Sequence, residues 1–126
     1  MRSLNLEKLK QAFVAEQAIL FAYLFGSSTT GETSPLSDVD IAVYPARELS
    51  LDDRLAIIQR LSKKMALENL DVTFLDRLEN LYLLNAIIDK GVVLLDRDVD
   101  RRELFEVMAH HKLLDFQYQR QLFVGA

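Results

Sequence analysis

Residues 24–43, LFGSSTTGETSPLSDVDIAV, decide the fold, because they hold the ends of two apolar runs and the polar loop between them. The first run, residues 19–25, stops at the pair Gly26-Ser27, and the second opens at residues 37–40. Short apolar runs bounded by Gly, Ser and Pro are typical of β-strands. The stretch therefore predicts two strands joined by a loop.

Two aspartates open the second strand with one residue between them. Side chains alternate along a strand, so Asp38 and Asp40 are expected on one face and the apolar Val39 and Ile41 on the other. Neighbouring like charges repel unless a cation lies between them, and oxygen ligands favour Mg²⁺ or Mn²⁺ over Zn²⁺. The pair predicts a metal site, with a solvated strand start carrying two surface aspartates as the alternative.

The Gly-Ser pair before the loop could seat an anion. Gly26 has no Cβ and lets the backbone approach a ligand closely, and Ser27 stands where a helix could begin with free N–H groups. A Gly-Ser turn alone is a weak signal. Its combination with Asp38 and Asp40, with ten residues between Ser27 and Asp38, is a much stronger one.

A third carboxylate lies in the next predicted strand, residues 70–75. Leu70 and Val72 share the apolar face there, and Asp71 lies on the other face. The strand-helix-strand order allows this strand to lie beside the one that carries Asp40, which would complete a three-carboxylate cluster. The alternative is an edge-strand aspartate in water.

Periodicity predicts the other elements and an α+β fold, a small mixed β-sheet flanked by helices, in a single domain over residues 1–126. The predicted helices cover residues 4–17, 50–67, 78–89 and 99–123, and the predicted strands residues 19–25, 39–44, 70–75 and 92–95. The expected inner stripe of the second helix is Leu51, Leu55, Ile58, Leu61 and Met65. An Arg97, Arg101 and Arg102 cluster interleaved with acidic residues predicts a solvated, self-paired entrance to the last helix.

The C-terminal helix, within residues 98–124, has two apolar faces. One comprises Leu104, Val107, Met108, Leu114, Tyr118 and Leu122, and the other comprises Phe105, Phe116 and Phe123. One face can dock on the chain's own core, and the aromatic one is expected to contact a partner. A helix buried on both sides by its own domain is the alternative.

Composition excludes several classes of function. The 126 residues contain no cysteine, so disulfides, thiolate catalysis and Cys-zinc sites are excluded. The net charge of −4 argues against sequence-independent binding of DNA or RNA. The charged N-terminal segment lacks a signal peptide's apolar centre, and no uncharged run approaches the ~20 residues that span a bilayer. We expect a cytoplasmic protein.

The Gly-Ser, ten-residue, Asp-x-Asp signature resembles the nucleotidyltransferases of the polymerase β superfamily. It is most similar to the minimal nucleotidyltransferases (MNT) that accompany HEPN-domain toxins, and the MntA-type antitoxins share the length and layout of this chain. The resemblance implies a polymerase β-like fold in which Asp38 and Asp40 bridge two Mg²⁺ ions. It also implies that Asp71 holds the catalytic ion or helps to take the acceptor's proton, and that Gly26, Ser27 and Ser37 contact the nucleotide.

The same resemblance implies an activity and a partner. The chain would transfer AMP from ATP to a tyrosine hydroxyl of a HEPN ribonuclease toxin and so silence it. Many relatives carry a basic residue just after Gly-Ser, where this loop reads Ser28-Thr29-Thr30, which bears on catalytic rate. Two alternatives are a non-catalytic antitoxin that acts by occlusion and a small-molecule nucleotidyltransferase, although the latter relatives generally carry an additional domain.

Overall fold

The computed structural model of the chain describes residues 6–26 and 39–124 and places four helices and four strands in them. In chain order these are α1 (Leu6–Ala12), β1 (Ile19–Phe25), β2 (Val39–Pro45), α2 (Leu51–Met65), β3 (Leu70–Phe74), α3 (Leu81–Lys90), β4 (Val92–Asp96) and α4 (Val99–Val124). The order of elements agrees with the prediction. No helix among these residues is both long enough and apolar enough to cross a bilayer.

The four strands form one mixed sheet in the order β3-β2-β1-β4. Strand β1 is antiparallel to β2 and to β4, and β2 is parallel to β3, to which α2 connects it. The parallel pair needs a crossover connection, which the helix supplies. The predicted α+β class with a small mixed sheet is confirmed.

Each face of the sheet is covered by a pair of helices. On one face Ile41 of β2 packs in the same buried cluster as Ile57 of α2, with α1 beside it. On the other face Tyr23 of β1 packs with Ile87 of α3 and with α4. Because side chains alternate along β2, Asp40 points to the same side as Ala42, which belongs to the α3/α4 cluster.

Helix α1 ends earlier than predicted. It closes at Ala12, and the turns that follow leave Val14, an expected apolar contact, 66% exposed. The guanidinium of Arg97 donates hydrogen bonds of 2.6–3.1 Å to four backbone carbonyls in this region, those of Phe13, Val14, Glu16 and Ile19. Arg97 is exposed, as predicted, but it also has a structural role, because its guanidinium ties the turns after α1 to the end of β4 by bonding main-chain carbonyls.

Helix α2 buries Leu61 and Met65 of the predicted inner stripe, but its first turns present a different face to the sheet from the one that the apolar spacing predicts. Leu51 and Leu55 are 71% and 50% exposed, whereas Arg54 is buried. Arg54 donates two hydrogen bonds, 2.9 and 2.8 Å long, to the carboxylate of Asp76 and lies 4.9 Å from the ring centre of Phe74. A paired, ring-stacked arginine can be buried, and the helix is rotated accordingly.

Side-chain caps mark the starts of two helices. Ser50 caps α2: its hydroxyl accepts a bond from the Asp53 amide at 3.1 Å, and the Asp53 carboxylate accepts one from the Ser50 amide at 3.4 Å. Those bonds to Ser50 lower the pKa of Asp53. Helix α3 begins at Leu81 because Asn80 accepts from the amides of Tyr82 and Leu83.

The aromatic line of α4 docks on the chain's own core at Phe105, contrary to the expectation that this line meets a partner, whereas Phe116 is 41% exposed. Phe105 packs 5.4 Å from the ring of Phe21 and 5.0 Å from that of Tyr44, and Phe116 contacts Tyr82. The side chain of Phe123 lies outside the described part of the chain. The other stripe is 48–62% exposed and comprises Leu104, Val107, Met108, Leu114, Tyr118 and Leu122.

Candidate active site

Two carboxylates meet where β2 and β3 begin. Asp40 and Asp71 are direct partners in the parallel register, each the second residue of its strand. Partners in register share a face, and neighbouring strands lie about 4.8 Å apart. Asp71 is exposed and Asp40 is partly buried. The prediction that Asp71 lies beside the strand that carries Asp40 is confirmed.

Gly26 lies directly against this pair. It follows Phe25, the residue opposite Asp40 in the antiparallel β1/β2 register. Its φ of +79° is in the left-handed region that favours glycine. A Cβ built on Gly26 would lie 2.5 Å from Oδ2 of Asp40 and 3.3 Å from its Cγ. The space beside Gly26, which we expected a ligand to use, is thus occupied by the Asp40 carboxylate.

The other predicted site residues, Ser27, Ser37 and Asp38, lie outside the described residues. The described part of the chain therefore holds two of the three predicted carboxylates. Across residues 6–26 and 39–122, no group of three or more His, Asp and Glu side chains is close enough together to hold a metal ion.

The donors at this end of the sheet fit a hard divalent cation. Both described side chains offer carboxylate oxygens, the ligands that Mg²⁺ uses in phosphate-handling sites. Two ionised carboxylates on adjacent strands repel one another, and a cation between them removes that repulsion. The geometry of Asp40 and Asp71 is therefore compatible with a magnesium site that solvent can reach at Asp71, the exposed residue of the pair.

A second polar cluster, which we did not predict, lies under the start of α4. The buried hydroxyl of Tyr23 donates to the Glu106 carboxylate at 2.7 Å. Arg102 donates to Glu106 at 3.0 Å and to Asp96 at 2.8 Å. Burial, and then the Glu106 hydrogen bond, raise the pKa of Tyr23, and the hydrogen bond to Asp96 raises the pKa of Arg102. This cluster fastens α4 to β1 and β4.

Of the arginine cluster, Arg102 is paired with neighbouring acidic residues, as predicted, whereas Arg97 bonds main-chain carbonyls. Arg102 is mostly buried with its two carboxylates, whereas Arg101 is exposed. Tyr23 is the residue from which this polar cluster could have been predicted, because it lies in a strand whose sequence reads as continuously buried. A buried hydroxyl needs a hydrogen-bond partner.

The family comparison matches most of the chain. Residues 7–100 match the family model described as polymerase beta, nucleotidyltransferase. That range includes Gly26, Asp40 and Asp71 as well as the three site residues outside the described part. A comparison with curated proteins gave no significant match.

Solved structures of toxin–antitoxin complexes are similar to the chain over nearly its whole length. A toxin–antitoxin with AMP-PNP is 27% identical, with 97% of each chain covered and a TM-score of 0.78. A tri-AMPylated Shewanella oneidensis HEPN toxin in complex with MNT antitoxin gives 25% identity, coverage of 99% of this chain and 97% of that one, and a TM-score of 0.72. A toxin–antitoxin MntA-HepT gives 24% identity, 98% and 97% coverage and a TM-score of 0.71, and shows the fold alone.

The mixed sheet, the paired carboxylates and the matched range agree with one another. The sheet and its helices are those of a polymerase β-like nucleotidyltransferase fold with a C-terminal helix. The chain belongs to the polymerase β nucleotidyltransferase family.

Proposed function

We propose that the chain is a Mg²⁺-dependent antitoxin that transfers AMP from ATP to a tyrosine hydroxyl of a HEPN ribonuclease toxin and thereby neutralises it. The observation that carries the proposal is the parallel register that sets Asp40 beside Asp71, with Gly26 against Asp40. The relatives support the partner and the nucleotide: one holds AMP-PNP, and another pairs an MNT antitoxin with a tri-AMPylated HEPN toxin.

The reaction is a single phosphoryl displacement. The phenolic oxygen of the toxin's tyrosine would attack the α-phosphorus of ATP, and the bond from that phosphorus to the bridging oxygen of the β-phosphate would break. Pyrophosphate would leave in line, and AMP would remain joined to the tyrosine through a phosphodiester bond. Since attack in line needs the acceptor oxygen opposite the leaving group, the chain's main contribution is to hold the two reactants in position.

The site residues would hold the metal, take the proton or contact the phosphates in this reaction. Asp38, Asp40 and Asp71 would hold Mg²⁺, which when bound supplies positive charge to the triphosphate and makes the acceptor hydroxyl easier to ionise. Asp71, the more exposed of the two described carboxylates, faces solvent and would take the phenolic proton. Ser27 and Ser37 would hydrogen-bond the phosphates, near the end of β1 and the start of β2 respectively.

A direct test uses the purified chain, ATP with Mg²⁺, and a HEPN-domain protein co-expressed with the chain. The intact mass of that partner should rise by one or more AMP units with the wild-type chain and stay constant when Mg²⁺ is removed with a chelator. A partner whose mass never changes, although it is held in a complex, would favour the non-catalytic antitoxin instead.

We further propose that α4 contacts the toxin through its exposed stripe. The side of α4 that carries Phe105 and Ala109 is used by the chain's own core, whereas the stripe from Leu104 to Leu122 is exposed. Its residues recur at spacings of three, four and seven, which suits packing against another helix. The toxin-bound relatives match 97–99% of this chain, so they include the length of α4.

Matched substitutions on α4 test this contact. Leu114→Glu places a charge in the stripe, whereas Gln119→Glu adds the same charge about 140° further around the helix, at an exposed position. We expect Leu114→Glu to abolish co-purification with the HEPN protein and Gln119→Glu to preserve it. Equal retention by both variants would contradict the contact, as would a stripe that instead holds two copies of this chain together in size-exclusion chromatography.

A further inference from the structure

The close approach of the Asp40 carboxylate to Gly26 limits which residue can stand at position 26. It also means that a side chain at position 26 would change the direction in which the carboxylate points. Strand β2 lies between β1 and β3, so neighbours on both sides hold the main chain of Asp40. Only the side-chain torsions of Asp40 can then relieve a clash. Oδ2, the atom nearest to a Cβ on Gly26, is the far end of that side chain.

A methyl group at position 26 would therefore have two separate consequences. The positive φ of Gly26 disfavours any L side chain whatever surrounds it. The 2.5 Å approach to Oδ2, by contrast, would be relieved by rotation of the Asp40 carboxylate away from β1. The first consequence falls on the stability of the fold, and the second falls on the direction in which the carboxylate points.

We infer that Gly26 is a positioning residue for Asp40: its missing side chain leaves the space in which the carboxylate lies, and so aims Asp40 at the ligand that it shares with Asp71. The consequence for AMP transfer rests on the proposed function, whereas the steric coupling of Gly26 to Asp40 does not. Gly26 thereby acts on the metal site through a carboxylate, in addition to the phosphate contact that the resemblance implies.

A double-mutant cycle separates the two consequences. The four proteins are the wild type, Gly26→Ala, Asp40→Ala and the double variant, and the probe is Mn²⁺ alone, titrated by electron paramagnetic resonance. Loss of a group that orients a metal ligand weakens metal affinity about tenfold or more. We expect Gly26→Ala to weaken Mn²⁺ binding about tenfold when Asp40 is present and to change it by less than about twofold in the Asp40→Ala background.

Thermal unfolding of the same four proteins is the second measurement. The backbone penalty at position 26 is present in both backgrounds, so Gly26→Ala should lower Tm by the same amount with and without the Asp40 side chain. Metal binding and stability thus respond differently, which a purely structural role for Gly26 would not produce.

The possible results have distinct meanings. If Gly26→Ala binds Mn²⁺ as tightly as the wild type, or weakens it equally in both backgrounds, the positioning role is overturned and the proposed function is unaffected. If the wild type binds no Mn²⁺ even at millimolar concentration, the metal site of the proposed function fails, and this inference fails with it. A tenfold loss of Mn²⁺ affinity that occurs only when Asp40 is present supports both the positioning role of Gly26 and the proposed metal site.

Discussion

Acidic side chains are brought together in two regions of the molecule, and the two regions differ in what lies between them. Under α4, Asp96 and Glu106 both accept hydrogen bonds from Arg102. At the other region the β2/β3 register sets Asp40 beside Asp71. Within residues 6–26 and 39–122, no lysine or arginine forms an ion pair with Asp71.

The difference separates the carboxylates that Arg102 neutralises from Asp71, with which no described lysine or arginine forms an ion pair. A carboxylate that accepts hydrogen bonds from an arginine contributes to stability, because the guanidinium balances its charge. Like charges directly opposite one another on neighbouring strands cost stability, so Asp71 beside Asp40 is expected to add little to the stability of the fold. The comparison predicts opposite effects of charge removal in the two regions.

The largest effect is expected on activity at the Asp40–Asp71 pair. Asp40→Asn and Asp71→Asn each preserve shape and remove a charge, and each should slow AMP transfer about 10³-fold or more, since stabilisation of the transferring phosphoryl group is lost. The measurement is the initial rate of mass gain of the HEPN protein. Asp52→Asn, at an exposed position in the first turn of α2, is the control and should keep the wild-type rate. If Asp71→Asn transferred AMP at the same rate as Asp52→Asn, the Asp40–Asp71 pair would have no special role in activity, and the difference between the two regions would be contradicted.

The next effect is on stability at the other region. Arg102→Met leaves Asp96 and Glu106 close together without a cation, and we expect the free energy of unfolding to fall by about 3 kcal/mol. Urea denaturation measures this, and Asp71→Asn is the counterpart, which should leave stability unchanged or slightly higher because repulsion from Asp40 is relieved. Destabilisation of similar size by both variants would show that the two regions do not differ in kind.

A third carboxylate, Asp76, sharpens the comparison through pH. Its hydrogen bonds from Arg54 lower the pKa of Asp76 below its usual range. A carboxyl group whose pKa is lower in the folded state than in the unfolded state stabilises the fold at any pH above its unfolded-state pKa. That stabilisation is lost as the pH falls through the folded-state pKa. Asp76→Asn should therefore cost about 2 kcal/mol at pH 7, and the difference from wild type should shrink below about pH 4. A difference that is the same at pH 7 and pH 3 would contradict this.

The smallest effect concerns the hydroxyl of Tyr23. Tyr23→Phe removes the 2.7 Å hydrogen bond to Glu106 and keeps the ring, so we expect a loss of about 1 kcal/mol in urea denaturation. Tyr82→Phe is the control, because Tyr82 is half exposed and should tolerate the change. Equal stability of Tyr23→Phe and wild type would remove the hydroxyl from the group that fastens α4.

The placement of Asp71 beside Asp40 was predictable from sequence because it depends on two local rules. Alternation along a strand sets Asp40 opposite in direction to Ile41, and the strand-helix-strand order makes β2 and β3 neighbours. Together these rules place Asp71 beside Asp40. From sequence, Gly26 could be predicted only to let some group approach its backbone closely. That this group is the Asp40 carboxylate depends on the β1/β2 register.

Buried charges account for most of what sequence could not predict. Periodicity treats an arginine or glutamate as a solvent-facing residue, yet Arg54 is buried with Asp76, 22 residues away, and Glu16 is buried with Arg60, 44 residues away. Such partners are visible only once the chain is folded. The rotation of α2 that exposes Leu51 follows directly from the first of these pairs.

The two apolar faces of α4 were recognisable, but the choice between them was not. Phe105 docks because the rings of Phe21 and Tyr44 lie stacked on the adjacent sheet, with centres 4.7 Å apart. A helical pattern contains no information about where strand rings will be. The exposed stripe is consequently the aliphatic one.

The central claim is that carboxylates from β2 and β3 bind the divalent ions used for nucleotidyl transfer. Its most direct test is a crystal structure of the chain grown with Mn²⁺ and a non-hydrolysable ATP analogue, examined by anomalous diffraction. We predict an anomalous peak within coordination distance, about 2.2 Å, of oxygens from both Asp40 and Asp71, with the triphosphate beside it. Nucleotide bound elsewhere, or a peak that neither carboxylate contacts, would contradict the account.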